Sequence, residues 1–352
     1  MPDLQATDIS DAVAITQNEL GRLKFTDLIS GYQNTIAFKR LFRKKKTTFD
    51  SGNAIEFRVM TDHNNSARFV PLGYTAIVDI PNNMTYGTVP WRHVTWNWAL
   101  ERRLVNMNRA PSKIFDMVKK ERIGSLASAI IKIERAFWRV PAADDNVTPY
   151  GIPYYVVKSN TATTTNEGFN GGAPTGYTTV AGLSPTTYPR WKNFATQYTA
   201  VTKDDLIRKM RRAMWFTNFE PLVENTPTYS TGYDYGIYTN YEVLATLEEI
   251  LEAQNENLGN DIAPKDGMVR FRGVDLMAVK DLNDDVTNPV YGINWGDMDI
   301  VGLRGEWMKE TNFDALPNQP TVSVTHVDCT YNLLCRNRRT QWVVATNTGL
   351  PA

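Results

Sequence analysis

The stretch Tyr331-Asn332-Leu333-Leu334-Cys335-Arg336-Asn337-Arg338-Arg339-Thr340-Gln341-Trp342-Val343-Val344 decides the fold. Aromatic and aliphatic residues flank a short basic run, which predicts a strand, a basic turn and a second strand. Val322-Ser323-Val324-Thr325-His326-Val327-Asp328, just before it, is strand-like too. A chain that adds strands to a sheet this close to its C-terminus needs these residues for its fold.

Working backwards, helices and strands alternate over 200–320, which predicts an α/β unit. Thr202 to Trp215 reads as a helix with Thr202 as cap and Asp205 at the capping-box position. Arg208, Lys209, Arg211 and Arg212 crowd its second half, a solvated face where the helix dipole favours cations. Asn240 to Leu258 is a second helix, capped by Asn240, stopped by Gly259, with Leu244, Leu247 and Leu251 as its apolar stripe. Gly236-Ile237-Tyr238-Thr239, Met268-Val269-Arg270-Phe271-Arg272 and Leu276-Met277-Ala278-Val279 read as strands.

Ser112 to Arg139 is the strongest single element. Pro111 and Ser112 mark its start and Pro141 its stop. Ile114, Phe115, Met117, Val118, Ile123, Leu126, Ile130, Ile131, Ile133, Phe137 and Trp138 cover one broad side. At 1.5 Å per residue such a helix is roughly 40 Å long, a spine for a flat subunit. Before it, residues 47–98 read as an extended hairpin with polar tips. Ala54-Ile55-Glu56-Phe57-Arg58-Val59 alternates with period two, and Ala76-Ile77-Val78-Asp79-Ile80 and Thr95-Trp96-Asn97-Trp98 keep the β character. Residues 7–36 form a weakly amphipathic helical arm, with Val13, Leu20, Leu23 and Leu28 at near-helical spacing, in need of a partner surface. Residues 141–186, rich in Thr, Asn and Gly, read as a surface insertion.

Among 352 residues, 38 basic side chains balance 38 acidic ones. A free-standing nucleic-acid binder usually carries a basic excess, so that class loses weight. The 9 Trp and 16 Tyr suit interfaces that are dry at one end and hydrogen-bonded at the other. No apolar run approaches the ~18–20 residues that span a bilayer. The N-terminus lacks a basic region followed by an apolar one, so a secretory signal is not expected. Cys329 and Cys335, on one extended strand, would stand roughly 20 Å apart, so free thiols are expected.

The chemistry of an active site is missing. Gly171 to Gly176 has the glycine spacing of a phosphate loop, and Thr178 fits its last position, but Tyr177 stands where the Lys that neutralises phosphate is needed. Asp281-Leu282-Asn283-Asp284-Asp285 opens like a calcium loop, yet Val286 and Gly292 occupy the positions that need Gly and Glu. His63, His93 and His326 lack metal-motif spacing. His326 and Cys329, three apart on a strand, point to opposite faces and make no nucleophile pair. Arg43-Lys44-Lys45-Lys46 reads either as a phosphate contact or as a solvated charge run. No catalytic, cofactor-binding or metal residue is assigned, and no cofactor or enzymatic activity is expected.

The order of arm, hairpin, spine helix, insertion, α/β unit and closing strands resembles the major capsid proteins of tailed double-stranded DNA bacteriophages, the Hong Kong 97-type shell fold. Tyr188-Pro189-Arg190-Trp191-Lys192-Asn193 resembles a tyrosine-proline-x-tryptophan element of a subset of them. Asn288-Pro289-Val290-Tyr291-Gly292-Ile293-Asn294-Trp295 is similar to their A-domain segment, and Tyr331 to Val344 to their closing strands.

The resemblance implies an α+β fold with an N-arm over 1–43, an E-loop over 44–98 and a P-domain with its spine helix over 99–142. It places an A-domain over 143–320, with a surface insertion near 155–186, and a return to the P-domain over 321–352. It implies a structural subunit that self-assembles into hexamers and pentamers of an icosahedral shell in the virion, built in the host bacterial cytoplasm. A scaffolding protein, a portal and decoration proteins are the implied partners, with packaged double-stranded DNA touched non-specifically and no membrane. Met1-Pro2 reads as an ordinary start, which favours a separate scaffold over a cleaved one. An encapsulin-like compartment shell and an enzyme with an unrecognised site are the competing readings.

Overall fold

The computed structural model describes residues 35–43, 47–49, 52–62, 67, 69–75, 83–107, 111–158, 168–218, 234–255 and 269–346. Its elements run in chain order from helix α1 (Ile36–Arg43), through strands β1 (Thr47–Phe49), β2 (Ala54–Met60), β3 (Met84–Pro90) and β4 (Arg92–Glu101), to helices α2 (Arg102–Met107), α3 (Pro111–Phe137) and α4 (Ile152–Tyr155). Strands β5 (Gly168–Gly171) and β6 (Asn193–Tyr198), helix α5 (Arg208–Thr217), β7 (Tyr235–Thr239) and helix α6 (Tyr241–Asn255) follow. The remainder is β8 (Arg270–Phe271), β9 (Val274–Ala278), β10 (Val290–Asn294), β11 (Met298–Leu303), β12 (Lys309–Glu310), β13 (Asp314–Leu316), β14 (Gln319–Cys335) and β15 (Trp342–Thr346).

Two sheets share the closing strands. β14, 17 residues long, pairs along one edge with β4 from Val322↔Glu101 to Tyr331↔Arg92. Its other edge takes β13, β12 and β11 in turn, and β1 adds to β11 in parallel. β15 goes elsewhere. It lies in a seven-stranded sheet of order β5-β6-β15-β10-β7-β9-β8, parallel to β6 and antiparallel to β10. The closing strands expected to return together to the P-domain thus lie in different sheets, β14 in one and β15 in the other. The basic turn Arg338–Thr340 is the crossing point between the sheets.

β6 and β10 are buried at every residue. Strands covered on both faces need no polar alternation: β10 is mostly apolar, while β6 buries Asn193, Thr196 and Gln197 among its apolar residues. One face of the seven-stranded sheet packs on α5 and α6 through Phe194, Leu206, Met210, Val243, Leu247 and Trp342. The other joins the main core, which gathers Leu41, Phe137, Tyr155, Tyr291, Tyr331 and Leu333 from α1, α3, α4, β10 and β14.

The hairpin is shorter than expected. β2 pairs β3 from Ala54↔Pro90 to Met60↔Met84, and β4 leaves it for β14, so the Thr95-Trp96-Asn97-Trp98 segment belongs to the body. The predicted strand at 76–80, the arm before Thr35, and the side chains of Arg43 to Lys46, Ile114, Phe115 and Leu251 lie outside the described residues, as does the Gly259 stop. The long helix starts and ends close to the predicted limits. In α6, Asn240 Oδ1 accepts from Val243 N at 3.1 Å, the predicted cap.

The expected surface insertion is half a misreading. Residues 159–167 lie outside the described residues, but Val156, Val180, Ala181 and Leu183 are all in the main core. Polar turn residues dominate the composition there, while a few apolar ones supply the packing.

Candidate assembly surface

The root of the β2–β3 hairpin is fixed to the body by a bracket of backbone and aromatic contacts. Ile55 and Val89 are fully buried. Thr88 N donates to Ala181 O at 2.9 Å, and Val180 and Leu183 exchange backbone hydrogen bonds of 2.8 and 3.1 Å around a tight turn. That turn needs positive φ at Ala181 (51°) and Gly182 (77°). A Cβ on Gly182 would also stand 2.6 Å from Thr88 Oγ1, so glycine there permits the close approach. Trp191 donates its indole N–H to Val180 O at 3.1 Å and packs on Phe57 of β2, ring centroids 6.1 Å apart. Arg190 pairs with Asp62 at 3.3 Å on the exposed side. The Tyr188–Asn193 element is therefore the piece that holds the hairpin.

Behind the bracket sits Arg338, the centre of the basic turn. The sequence places it in a short basic turn; the structure buries it completely. Its Nε donates to Tyr155 O at 2.7 Å and its Nη1 to Trp191 O at 2.8 Å. Nη2 donates to Gly171 O, Gly172 O and Asn193 Oδ1 at 3.3, 2.7 and 3.2 Å. Five neutral acceptors satisfy the planar fork without a carboxylate. Burial pulls its pKa down to about 10, so the group remains a cation at neutral pH.

Beyond the bracket the hairpin carries its apolar residues into solvent. Phe69 and Leu72 are fully exposed, and Met60, Val70, Tyr74, Met84 and Tyr86 are exposed as well. Fully burying one large apolar side chain is worth roughly 1.5–3 kcal/mol. Several together on one projection are the mark of a surface that another molecule covers. Trp215 and Phe216, at the end of α5, and Ile123 and Leu126, on α3, are exposed too. The stripe predicted for the long helix is thus only partly core.

The residues weighed for chemistry are dispersed or occupied. Gly171 and Gly172 give their carbonyls to Arg338. Asp285 binds Lys158 and Thr287, and Asp281 lies 3.8 Å from Arg135. His93 Nδ1 is 2.8 Å from Thr330 Oγ1. His326 is exposed, while Cys329 is buried on the opposite face of β14. Both cysteines are free, and burial pushes the Cys335 thiol far up. Of the four basic residues on α5, Lys209 is not solvated. It is buried and donates to Gln197 O at 2.6 Å and to Asp205 at 2.5 Å. Asp205 caps backward, accepting from Thr199 N and Ala200 N. Among the described residues no group of three or more His, Cys, Asp or Glu side chains is placed to hold a metal. No described helix is long and apolar enough to cross a membrane.

No protein-family model matches the sequence, and no curated protein matches it. Solved structures do. The cyanophage A-1(L) capsid asymmetric unit aligns over 94% of this chain and 98% of that one, with a TM-score of 0.63 and 14% identity. The capsid of the native GTA particle aligns over 95% and 98%, with a TM-score of 0.54 and 11% identity. The capsid of Myoviridae phage XM1 aligns over 94% and 97%, with a TM-score of 0.50 and 8% identity. The chain shares its α+β fold with these capsid chains over almost its whole length.

Proposed function

We propose that this protein is a structural shell subunit, the major capsid protein of a tailed double-stranded DNA bacteriophage, and not an enzyme. The observation that carries the reading is the alignment of almost the whole chain with almost the whole of a phage capsid chain, at 94% and 98%. A fold match that spans nearly the whole of both chains supports a shell role over an enzymatic one. The exposed apolar hairpin fits the same reading, because a shell subunit keeps such surfaces for its neighbours.

In this reading residues 1–43 are the N-arm, and the β2–β3 hairpin is the core of an E-loop over 44–98. α3 is the spine of a P-domain over 99–142, and 143–320 is mostly the A-domain. Residues 321–352 then close both units. The partners are other copies, arranged as hexamers and pentamers, together with a scaffolding protein, a portal and decoration proteins. Contact with packaged DNA is local and non-specific, because a net charge of zero focuses no strong field. The protein belongs in the virion, after assembly in the host bacterial cytoplasm.

Electron microscopy of the purified full-length protein tests this. Closed shells of uniform diameter are expected, containing nucleic acid when isolated from infected cells. Shells filled with a cargo enzyme would replace the reading with a protein compartment. A protein that stays monomeric at high concentration would remove it.

A further inference from the structure

Helix α5 turns both its charge and an aromatic ring outward. Arg208, Arg211, Arg212 and Trp215 recur at i, i+3, i+4 and i+7, so they share one face. All four are exposed, Trp215 at 70%, while Met210 and Ala213 on the other face are buried against the seven-stranded sheet. Trp215 packs edge-on against Phe216, and Phe216 stacks on Phe194 of β6, with ring centroids 5.0 and 5.7 Å apart. The indole is held in place without being covered.

Helix α6 presents the opposite sign. Glu242 and Glu249, two turns apart, are exposed, and Tyr241 beside them is 65% exposed. Asn283 Oδ1 accepts Tyr241 N at 2.9 Å, which brings the exposed Asp284 and Val286 to the start of the helix. Lys280 is exposed near this turn, and Asp204 one turn before Arg208; each lowers the charge of its patch without reversing it. The two patches do not satisfy one another within one chain. α5 packs over β6 and β15 and α6 over β9, with β10 and β7 between them. At about 4.8 Å per strand, β15 and β9 stand roughly 14 Å apart. No ion pair between described residues involves Arg208, Arg211, Glu242, Glu249 or Asp284.

We infer that the Arg208–Trp215 face of one copy docks, head to tail, on α6 and the Asp284–Val286 turn of a second copy. Opposite charges meet there, and exposed rings and Val286 supply the apolar part of the contact. Two unlike patches on one chain make a heterologous contact, which repeats with each added copy and closes into a ring where the rotation allows. Its occupant, a second copy, rests on the reading of the chain as a self-assembling subunit.

Sedimentation velocity over a range of concentrations tests this on the full-length protein. The native chain is compared with Arg208→Glu/Arg211→Glu, with Glu242→Lys/Glu249→Lys, and with the quadruple variant that carries both pairs. All four positions are exposed, so thermal midpoints are expected to stay close to the native one. Each double variant sets like charges against each other and should associate about tenfold more weakly. The quadruple variant restores opposite signs and should recover native association, as should an equimolar mixture of the two double variants. Double variants that associate like the native chain would overturn the inference. A quadruple variant as weak as the doubles would give the patches to a different partner and overturn it too. Both outcomes leave the shell reading standing, whereas a native chain that stays monomeric overturns the two together. Salt supplies a measurement that needs no variant. Raising sodium chloride from about 0.1 M to about 1 M shortens the screening length from about 10 Å to about 3 Å and should weaken native association. Association that salt leaves unchanged would overturn the contact.

Discussion

Glu134 Oε2 accepts the backbone N–H of Phe38 at 2.6 Å across 96 residues of sequence. With Ala37 N and the indole N–H of Trp138, at 3.0 and 2.8 Å, it satisfies three buried donors at once. The carboxylate sits at the positive end of α1 and pins it to α3.

Replacing this residue separates geometry from charge. Glu134→Ala strands three donors and should cost on the order of 3 kcal/mol. Glu134→Gln keeps one acceptor and should cost less. Burial raises the Glu134 carboxyl above its ordinary value, against the hydrogen bonds from Phe38, Trp138 and Ala37, and Asp281 adds to the rise. A carboxyl raised on folding holds its proton more tightly in the native state. Its contribution to stability is fully present below the unfolded value and is lost as pH climbs through the raised one. The stability difference, wild type minus Glu134→Gln, should therefore fall as pH rises from the acid side toward neutrality. Urea midpoints at a series of pH values measure it; a difference that grows with pH would contradict the assignment.

Arg338 should tolerate neither truncation nor exchange. Arg338→Ala leaves up to five buried acceptors unpaired and should cost about 3 kcal/mol or more. Arg338→Lys keeps the charge but not the planar fork, and should recover only part of that. Soluble yield and protease resistance read both; a lysine variant as stable as the native protein would mean that the fork geometry is unimportant.

Gly292 lies against Trp342 in the register of β10 and β15. A Cβ there would fall 1.8 Å from the indole Cε2 of a side chain that is fully buried. Gly292→Ala should force the ring or the strand to shift, at roughly 1–3 kcal/mol. A thermal midpoint equal to that of the native protein would show that the sheet yields at no cost.

A chain ending at Thr340 should not fold. It lacks β15, which stands between β6 and β10, and both would be left with unpaired edges. Expression followed by limited proteolysis decides this; a resistant product would make the last strand dispensable.

Phe69→Ser with Leu72→Ser should leave the subunit's stability within about 0.5 kcal/mol, since both side chains are fully exposed. Particle formation should be lost or strongly reduced. Normal particles from the double variant would remove the hairpin from the assembly surface.

Periodicity made α3 and α6 legible, and the aliphatic and aromatic runs made β7, β14 and β15 so. These signals are local, and a single chain carries them in full. Pairing is not local. Whether Trp342 sits beside Phe194 or beside Leu334 depends on partners far away in sequence, so the division of the closing strands between two sheets was out of reach. Lys209 was misread, and the burial of Arg338 was missed, for a related reason. A basic residue in a turn or on a helix has the same composition whether water or carbonyl oxygens surround it. The one available hint was position, because Arg338 lies between two apolar strands only a few residues from each. Val180 and Leu183 were hidden in the same way, as a sparse apolar minority within a loop-like composition.

The place of β15 in its sheet also sets an order of events. Trp342 pairs with Phe194 and with Gly292, so the strand that joins the two halves of the seven-stranded sheet is the last of that sheet to be synthesised. Until residues 342–346 have left the ribosome, β6 waits for a neighbour made about 150 residues later, and long-range closures of this kind are slow. The seven-stranded sheet therefore closes only once β15 has been made, and a chain still lacking that strand cannot present a finished body to another copy.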